Sequence, residues 1–251
     1  MKNIISLLLL SAILLSLSSC ADGEEYTEGL SAMKIEDGEC VVSVGSAKGL
    51  EEIIIPKKID GSRVVALDKR GFAFLDTLKS VSVPEGVYFI GDEAFLFCYA
   101  LESVALPDGI THIGERAFES CNKLRTLKLS RGLERIEQKT FYHCYALSEV
   151  SLPDGLVYIG RSAFGGCSSL TEIVIPHSVK LIDEYAFAGT AITEIYIPEG
   201  TRLLRYVFNG CDDLKRITYG GTQEQWEAMM RDNEYGYEDT SYEDVEIIFE
   251  R

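Results

Sequence analysis

Four cysteines separated by 23 residues, Cys98, Cys121, Cys144 and Cys167, are the first place to look for chemistry, with Cys40 and Cys211 outside that spacing. Thiols in such numbers could form disulfides or hold zinc, but the spacing argues against both. Residues one full period apart point the same way from successive coils. A disulfide needs Cβ atoms about 3.5–4.5 Å apart and turned toward each other, and a zinc site needs ligands converging tetrahedrally on one ion. A column offers neither, so the thiols are expected to be free, buried and packed as small apolar groups. Leu75 and Thr190 fall at the same place in other coils, which fits packing rather than bonding. The three histidines, His112, His143 and His177, sit at different repeat positions, outside any nucleophile elbow, HExxH or Cys-His pair. The acidic stretch DNEYGYEDTSYEDVE, from Asp232 to Glu246, lacks the ligand order of a calcium loop and reads as a solvated connection. Neither cofactor nor catalytic motif is indicated, so the expectation is a protein that is not an enzyme.

What positions the cysteines is a repeat. Ala94-Phe95, Ala117-Phe118, Thr140-Phe141, Ala163-Phe164 and Ala186-Phe187 superpose at the same 23-residue shift, each Phe preceded five residues earlier by Ile90, Ile113, Ile136, Ile159 or Ile182. Between them run LxxΦxΦ segments (Φ aliphatic) that start at Leu50, Leu78, Leu101, Leu124, Leu147, Leu170, Ile192 and Leu214, most of them ending in Pro. A unit this short cannot bury its apolar face alone, so coils must stack, each contributing one strand to a continuous parallel sheet. The short segments before each Ala-Phe pair are expected to be extended. Gly91, Gly114, Gly160 and Asp183 are then expected to cap one helical turn that carries the pair inward. The Phe column is the spine of the core.

Side chains alternate along a strand, so positions three and five of each LxxΦxΦ segment face outward. Toward the N-terminal side these are small: Ser80, Ser82, Ser103 and Ala105. From the fifth strand on they become Glu149, Glu172 and Glu194, beside Val174 and Tyr196. Three carboxylates at sheet spacing repel one another and would gain from a cationic partner, while Tyr196 is a suitable interface anchor. Glu149, Glu172, Val174, Glu194 and Tyr196 are therefore the candidate ligand-binding residues. The rival reading is a sugar-binding accessory lipoprotein, stacking glycans on Tyr99, Tyr145, Tyr158 and Tyr196.

Lys2 and the apolar run Ile4 to Leu17 form an export leader too short to span a bilayer. The following Leu17-Ser18-Ser19-Cys20 resembles the lipobox of bacterial lipoproteins. That resemblance implies lipidation of Cys20 and membrane attachment through covalent lipid. The polar ADGEEYTEG after it reads as a tether and resembles the acidic signals that send some lipoproteins to the exterior of the outer membrane. The expected organisation is a leader (1–19), a tether (20–32), an array with its N-terminal cap (33–219) and a C-terminal cap (220–251). Met33 to Val44 reads as a hairpin around Asp37-Gly38. Thr222 and Gln225 read as the capping box of a helix carrying Trp226, Met229 and Met230, followed by a last strand from Val245 to Phe249. A net charge of −16, from 24 Lys and Arg against 40 Asp and Glu, argues against nucleic acid as a partner.

The pattern AFxxCxxLxxΦxΦPxxΦxxΦG, over about residues 50 to 219, resembles the BspA-like (treponemal-type) leucine-rich repeats of bacterial surface proteins. The resemblance implies a curved right-handed solenoid of the α/β horseshoe class, here β-rich, with about eight repeat strands and the two caps. It also implies adhesion or protein binding, since several members act so, and it leaves the ligand open.

Overall fold

Each 23-residue period closes into one coil with two extended edges and one edge of turns. The computed structural model describes residues 17–19, 25–232 and 244–250. The LxxΦxΦ segments form parallel strands on one edge, paired in register: Ile53 against Val81 against Val104, and Ile195 against Ile217 against Ile247. The second edge is a ladder of two-residue strands, with Ile90 against Ile113, and Ile136, Ile159, Ile182 and Leu203 in line. The expected leucine-rich-repeat solenoid is what the chain forms, in a β-rich version whose described helix is α1 (Gln223–Asp232) in the C-terminal cap.

Stacked rings fill the interior. Phe72, Phe95, Phe118, Phe141, Phe164, Phe187 and Phe208 are fully or almost fully buried, with successive centroids 5.2–5.9 Å apart. Each buries on the order of 150–250 Å² of ring surface. The Leu and Ile columns close the core on the two strand edges.

The third edge departs from the expected helical turn. Residues two before and two after each Phe lie in the left-handed region: Glu93 and Phe97, Arg116 and Ser120, Lys139 and His143, Ser162 and Gly166. Intervening residues keep negative φ, so alternate N–H groups point along the stack toward the next coil. Glu93, Phe95 and Phe97 donate to the carbonyls of Glu115, Ala117 and Glu119, and the same three-bond pattern joins the following coils. Interchain-style pairing between turns thus replaces bonds within a helix. Gly91, Gly114 and Gly160 serve close packing rather than capping, because a Cβ there would lie 2.6, 2.5 and 2.8 Å from backbone atoms of the preceding coil.

The outward strand edge also departs from expectation, since it is not one eight-stranded sheet. It divides into Glu52–Ile54 with Ser80–Ser82 and Ser103–Ala105, then Thr126–Lys128 with Glu149–Ser151, then Glu194–Ile197 with Arg216–Tyr219 and Glu246–Phe249. Glu172–Ile175 makes no backbone hydrogen bond to either neighbouring coil. Ile173 and Ile175 remain buried, so side-chain burial holds this rung while its backbone stands off from the ladder.

Both caps adopt the anticipated elements. Ser31–Lys34 and Glu39–Ser43 form an antiparallel hairpin, with Asp37 and Gly38 at φ 58° and 70° as a tight turn requires. Of the expected tether, residues 20–24 lie outside the described residues. Glu25–Thr27 pairs with Leu17–Ser19, and the buried Thr27 accepts from the Ile54 N–H at 2.8 Å, satisfying a donor at the open end of the first rung. At the other end the Thr222–Gln225 capping box is reciprocal, at 2.7 and 3.2 Å. Trp226 packs on Tyr219, and Glu246–Phe249 adds a parallel last strand.

Candidate functional site

The cysteines do more than fill space. All six described thiols are free and buried. Cys98, Cys121, Cys144 and Cys167 donate to the carbonyls of Phe72, Phe95, Phe118 and Phe141 in the preceding coil, at 3.0, 3.3, 3.2 and 3.2 Å. Cys211 does the same to Phe187. Burial pushes the thiols of Cys98 and Cys144 up to about 12 and those of Cys121 and Cys167 well above the usual value, which removes the thiolate that any nucleophilic or metal-binding role needs. Sequence spacing located the column and its burial. That its members are hydrogen-bond donors could have been suspected from Thr190, a hydroxyl at an otherwise apolar position. Cys40 is buried with its thiol directed at the Ser62 carbonyl.

The histidines are ring partners: His112 stacks on Phe89, His143 stacks between Tyr142 and Tyr145, and His177 meets Tyr196 edge-on. Burial lowers the His143 pKa, so its ring is neutral at neutral pH. Among the described residues no group of three His, Cys, Asp or Glu side chains is arranged to hold a metal ion.

Glu149, Glu172, Val174, Glu194 and Tyr196 come together around one concavity of about 560 Å³ on the outward strand edge, where Glu172–Ile175 leaves the ladder. Val174 stands 82% exposed within it. The three carboxylates are not equivalent. Arg216 reaches Glu194 at 2.8 Å and Glu246 at 3.0 Å, so Glu194 is ion-paired, though one guanidinium between two carboxylates leaves one negative charge over. Glu149 and Glu172 have no ion-pair partner among the described residues, and they carry the outward charge. Arg216, at the same strand position one coil further on, sets Glu194 apart from Glu149 and Glu172. Tyr196 is half-buried, its hydroxyl donating to Glu250 at 3.1 Å.

The four tyrosines of the sugar-binding reading do not share a surface patch. Tyr158 is half-buried under the Arg135 guanidinium, 4.0 Å from the ring centre, and its hydroxyl donates to Asp183. Tyr99 and Tyr145 lie on the turn edge, stacked on Phe97 and His143, while Tyr196 lies on the strand edge. Cys20 lies outside the described residues. No described helix is long and apolar enough to cross a membrane.

Coils of one strand, one short extended segment and one turn, stacked on buried Leu, Ile, Phe and Cys columns, define a leucine-rich-repeat solenoid. The chain belongs to the BspA-type leucine-rich repeat family, whose model matches residues 46–144 and 134–230 in six copies. Solved structures agree. A leucine-rich cell surface protein from Faecalibacterium prausnitzii is 29% identical, with a TM-score of 0.71 over 76% of this chain and 53% of its own. The leucine-rich repeat protein of T. pallidum is also 29% identical, with a TM-score of 0.72 over 84% of this chain and 96% of its own. A leucine-rich repeat protein from Eubacterium ventriosum, at 22% identity and a TM-score of 0.50 over 71% and 50% of the two chains, shares the fold. The chain spans about half the length of the F. prausnitzii protein. A comparison with curated proteins finds no match.

Proposed function

We propose that this is a lipid-anchored bacterial cell-surface protein that binds another protein through the concavity on its outward strand edge. Five features favour this over the sugar-binding reading, namely the side chains of Glu149, Glu172, Val174, Glu194 and Tyr196, which line one concavity. That convergence is the observation that carries the proposal, because repeat arrays present binding surfaces through just such outward positions. Glu149 and Glu172 supply uncompensated negative charge, Val174 an exposed apolar contact and Tyr196 an amphipathic edge. The partner is basic where it touches them, and its association slows and weakens as salt rises. Attachment runs through diacylglycerol on Cys20, with the protein on the outer membrane facing the exterior. The surface location of the F. prausnitzii relative supports this placement. The test is a folded variant carrying Glu149→Ala, Glu172→Ala, Glu194→Ala and Tyr196→Ala, used beside the wild type in proximity labelling on intact cells and in titration with the partner so identified. Loss of binding together with its salt dependence is expected. Wild-type affinity in the variant would put the site elsewhere.

A further inference from the structure

On the turn edge, away from the strand face, a second basin of about 530 Å³ opens across the fourth to seventh Phe coils. Its floor is a local change in sequence. The position two after each Phe is occupied by Phe74, Phe97, Ser120 and His143 in the earlier coils, then by Gly166, Gly189 and Gly210. The first glycine is covered, since a Cβ on Gly166 would lie 2.5 Å from the His143 ring. The other two are not: a Cβ on Gly189 would meet nothing closer than 3.8 Å, and one on Gly210 nothing closer than 3.9 Å. A flat floor therefore begins where the column of side chains stops.

Rings and cations surround that floor. Tyr142 and His143, stacked 3.8 Å apart, form one wall. Tyr185, stacked on Tyr206 at 5.2 Å, forms another. Lys139 lies 5.1 Å from the Tyr142 ring centre and has no carboxylate within ion-pair distance among the described residues. Arg161 shares the single carboxylate of Glu184 with Arg205, at 3.4 and 3.3 Å, which leaves one positive charge over. No residue lining the basin carries a carboxylate. In a chain of net charge −16 this is a local reversal of sign. Ser162 and the exposed Asn209 add hydrogen-bonding groups at its border.

We propose that this basin binds a sugar unit bearing a carboxylate or sulfate group. Tyr142 already stacks on His143 with Lys139 over its ring, and Tyr185 stacks on Tyr206 with Arg161 over its ring at 5.9 Å, so the ring surface that these partners leave open is what meets the C–H face of a pyranose ring. The bare floor at Gly189 and Gly210 allows that ring to approach the backbone. Lys139 and Arg161 supply the charge-assisted hydrogen bonds that fix an acidic substituent. A concave site with aromatic walls and a few convergent polar groups has the general form of a small-ligand site. The charge of the whole chain favours a short acidic unit, because a long polyanion would run out of the basin along carboxylate-bearing surface, where contact within a Debye length of about 8 Å is repulsive. This inference does not rest on the strand-face site.

The experiment is isothermal titration of the soluble chain with hyaluronan tetrasaccharide, chondroitin sulfate tetrasaccharide, cellotetraose and sodium sulfate. Binding of one or both acidic tetrasaccharides is expected, at least tenfold tighter than cellotetraose. Gly189→His should lower it at least tenfold. That variant should fold, because His143 already occupies the equivalent place with φ 60° against 66° at Gly189, and an unchanged melting temperature would confirm it. Lys139→Ala should weaken binding about tenfold, and Gly200→Ala, in a turn outside the basin, should not. The quadruple strand-face variant should bind the tetrasaccharides as the wild type does. Equal binding of cellotetraose, sulfate bound as tightly as the tetrasaccharides, no binding of either acidic tetrasaccharide, or full binding by a folded Gly189→His protein would each overturn the proposal.

Discussion

Raising the pH from 8 to 10.5 ionises thiols in the unfolded chain but not in the folded one, and the difference can be worked out. Cys98 and Cys144 are raised from an ordinary 9.0 to about 12 by burial. A folded-state pKa above the unfolded value means that the folded protein holds the proton more tightly. The associated stability is complete below about pH 9 and is lost progressively up to about pH 12. Within that window each thiol removes about 1.4 kcal/mol per pH unit, so the two together remove roughly 4 kcal/mol between pH 9 and 10.5. That is a large part of the ~5–15 kcal/mol that holds a typical domain. The assay is urea unfolding followed by circular dichroism, under reductant, at half-unit steps from pH 8 to 10.5. Wild type is compared with Cys98→Ala/Cys144→Ala. The double variant starts less stable, by about 1 kcal/mol for each thiol truncated. Its curve should fall less steeply and meet that of the wild type near pH 10. Tyrosines and lysines titrate equally in both proteins and cancel. Parallel curves over the whole range would refute the assignment of buried, proton-retaining thiols.

Phe164→Ala should cost about 3–5 kcal/mol in the same assay, because it opens a cavity and removes stacking on both Phe141 and Phe187. Phe72→Ala, with one stacked neighbour in the column, should cost about 1 kcal/mol less. Thr222→Ala removes the hydroxyl that caps α1 and should cost about 1 kcal/mol, read from the urea midpoint. Mass spectrometry of the membrane fraction should find Cys20 as an acylated first residue, and Cys20→Ala should release the protein into the soluble fraction.

The columns were legible in the sequence because a 23-residue repeat fixes which side chains stack. Phe, Leu, Ile and Cys at those positions are buried as expected, and the same pattern carried the resemblance to the family whose model matches. What the spacing could not express is backbone conformation. The Ala-Phe turns look like capped helical turns in sequence, yet Glu93, Arg116 and Lys139 take positive φ without any glycine signal, because bonds to the next coil repay the strain. The outward edge was misjudged for a related reason. Leu170 to Pro176 matches the template at every apolar position, so nothing in it marks the rung whose backbone leaves the ladder. Strand position alone grouped Glu149, Glu172, Val174, Glu194 and Tyr196, which line one concavity, but Arg216, in the same column, was not recognised as an ion-pair partner of Glu194. The glycine floor of the turn edge was hidden in plain letters, as a change from Phe97, Ser120 and His143 to Gly166, Gly189 and Gly210 two residues after the repeated Phe.

On the turn edge alternate N–H groups donate forward to carbonyls of the next coil, so the junctions there repeat the same chemistry from coil to coil. A coil removed, or copied, between equivalent points leaves matching donors and acceptors at the seam, and the Phe and Cys columns close across it. Unequal recombination within such a gene therefore yields foldable proteins of different length, each with its binding surfaces shifted by whole coils. Array length becomes a heritable trait that varies without renegotiating the core, and the spacing between the strand-face concavity and either cap becomes adjustable by duplication alone.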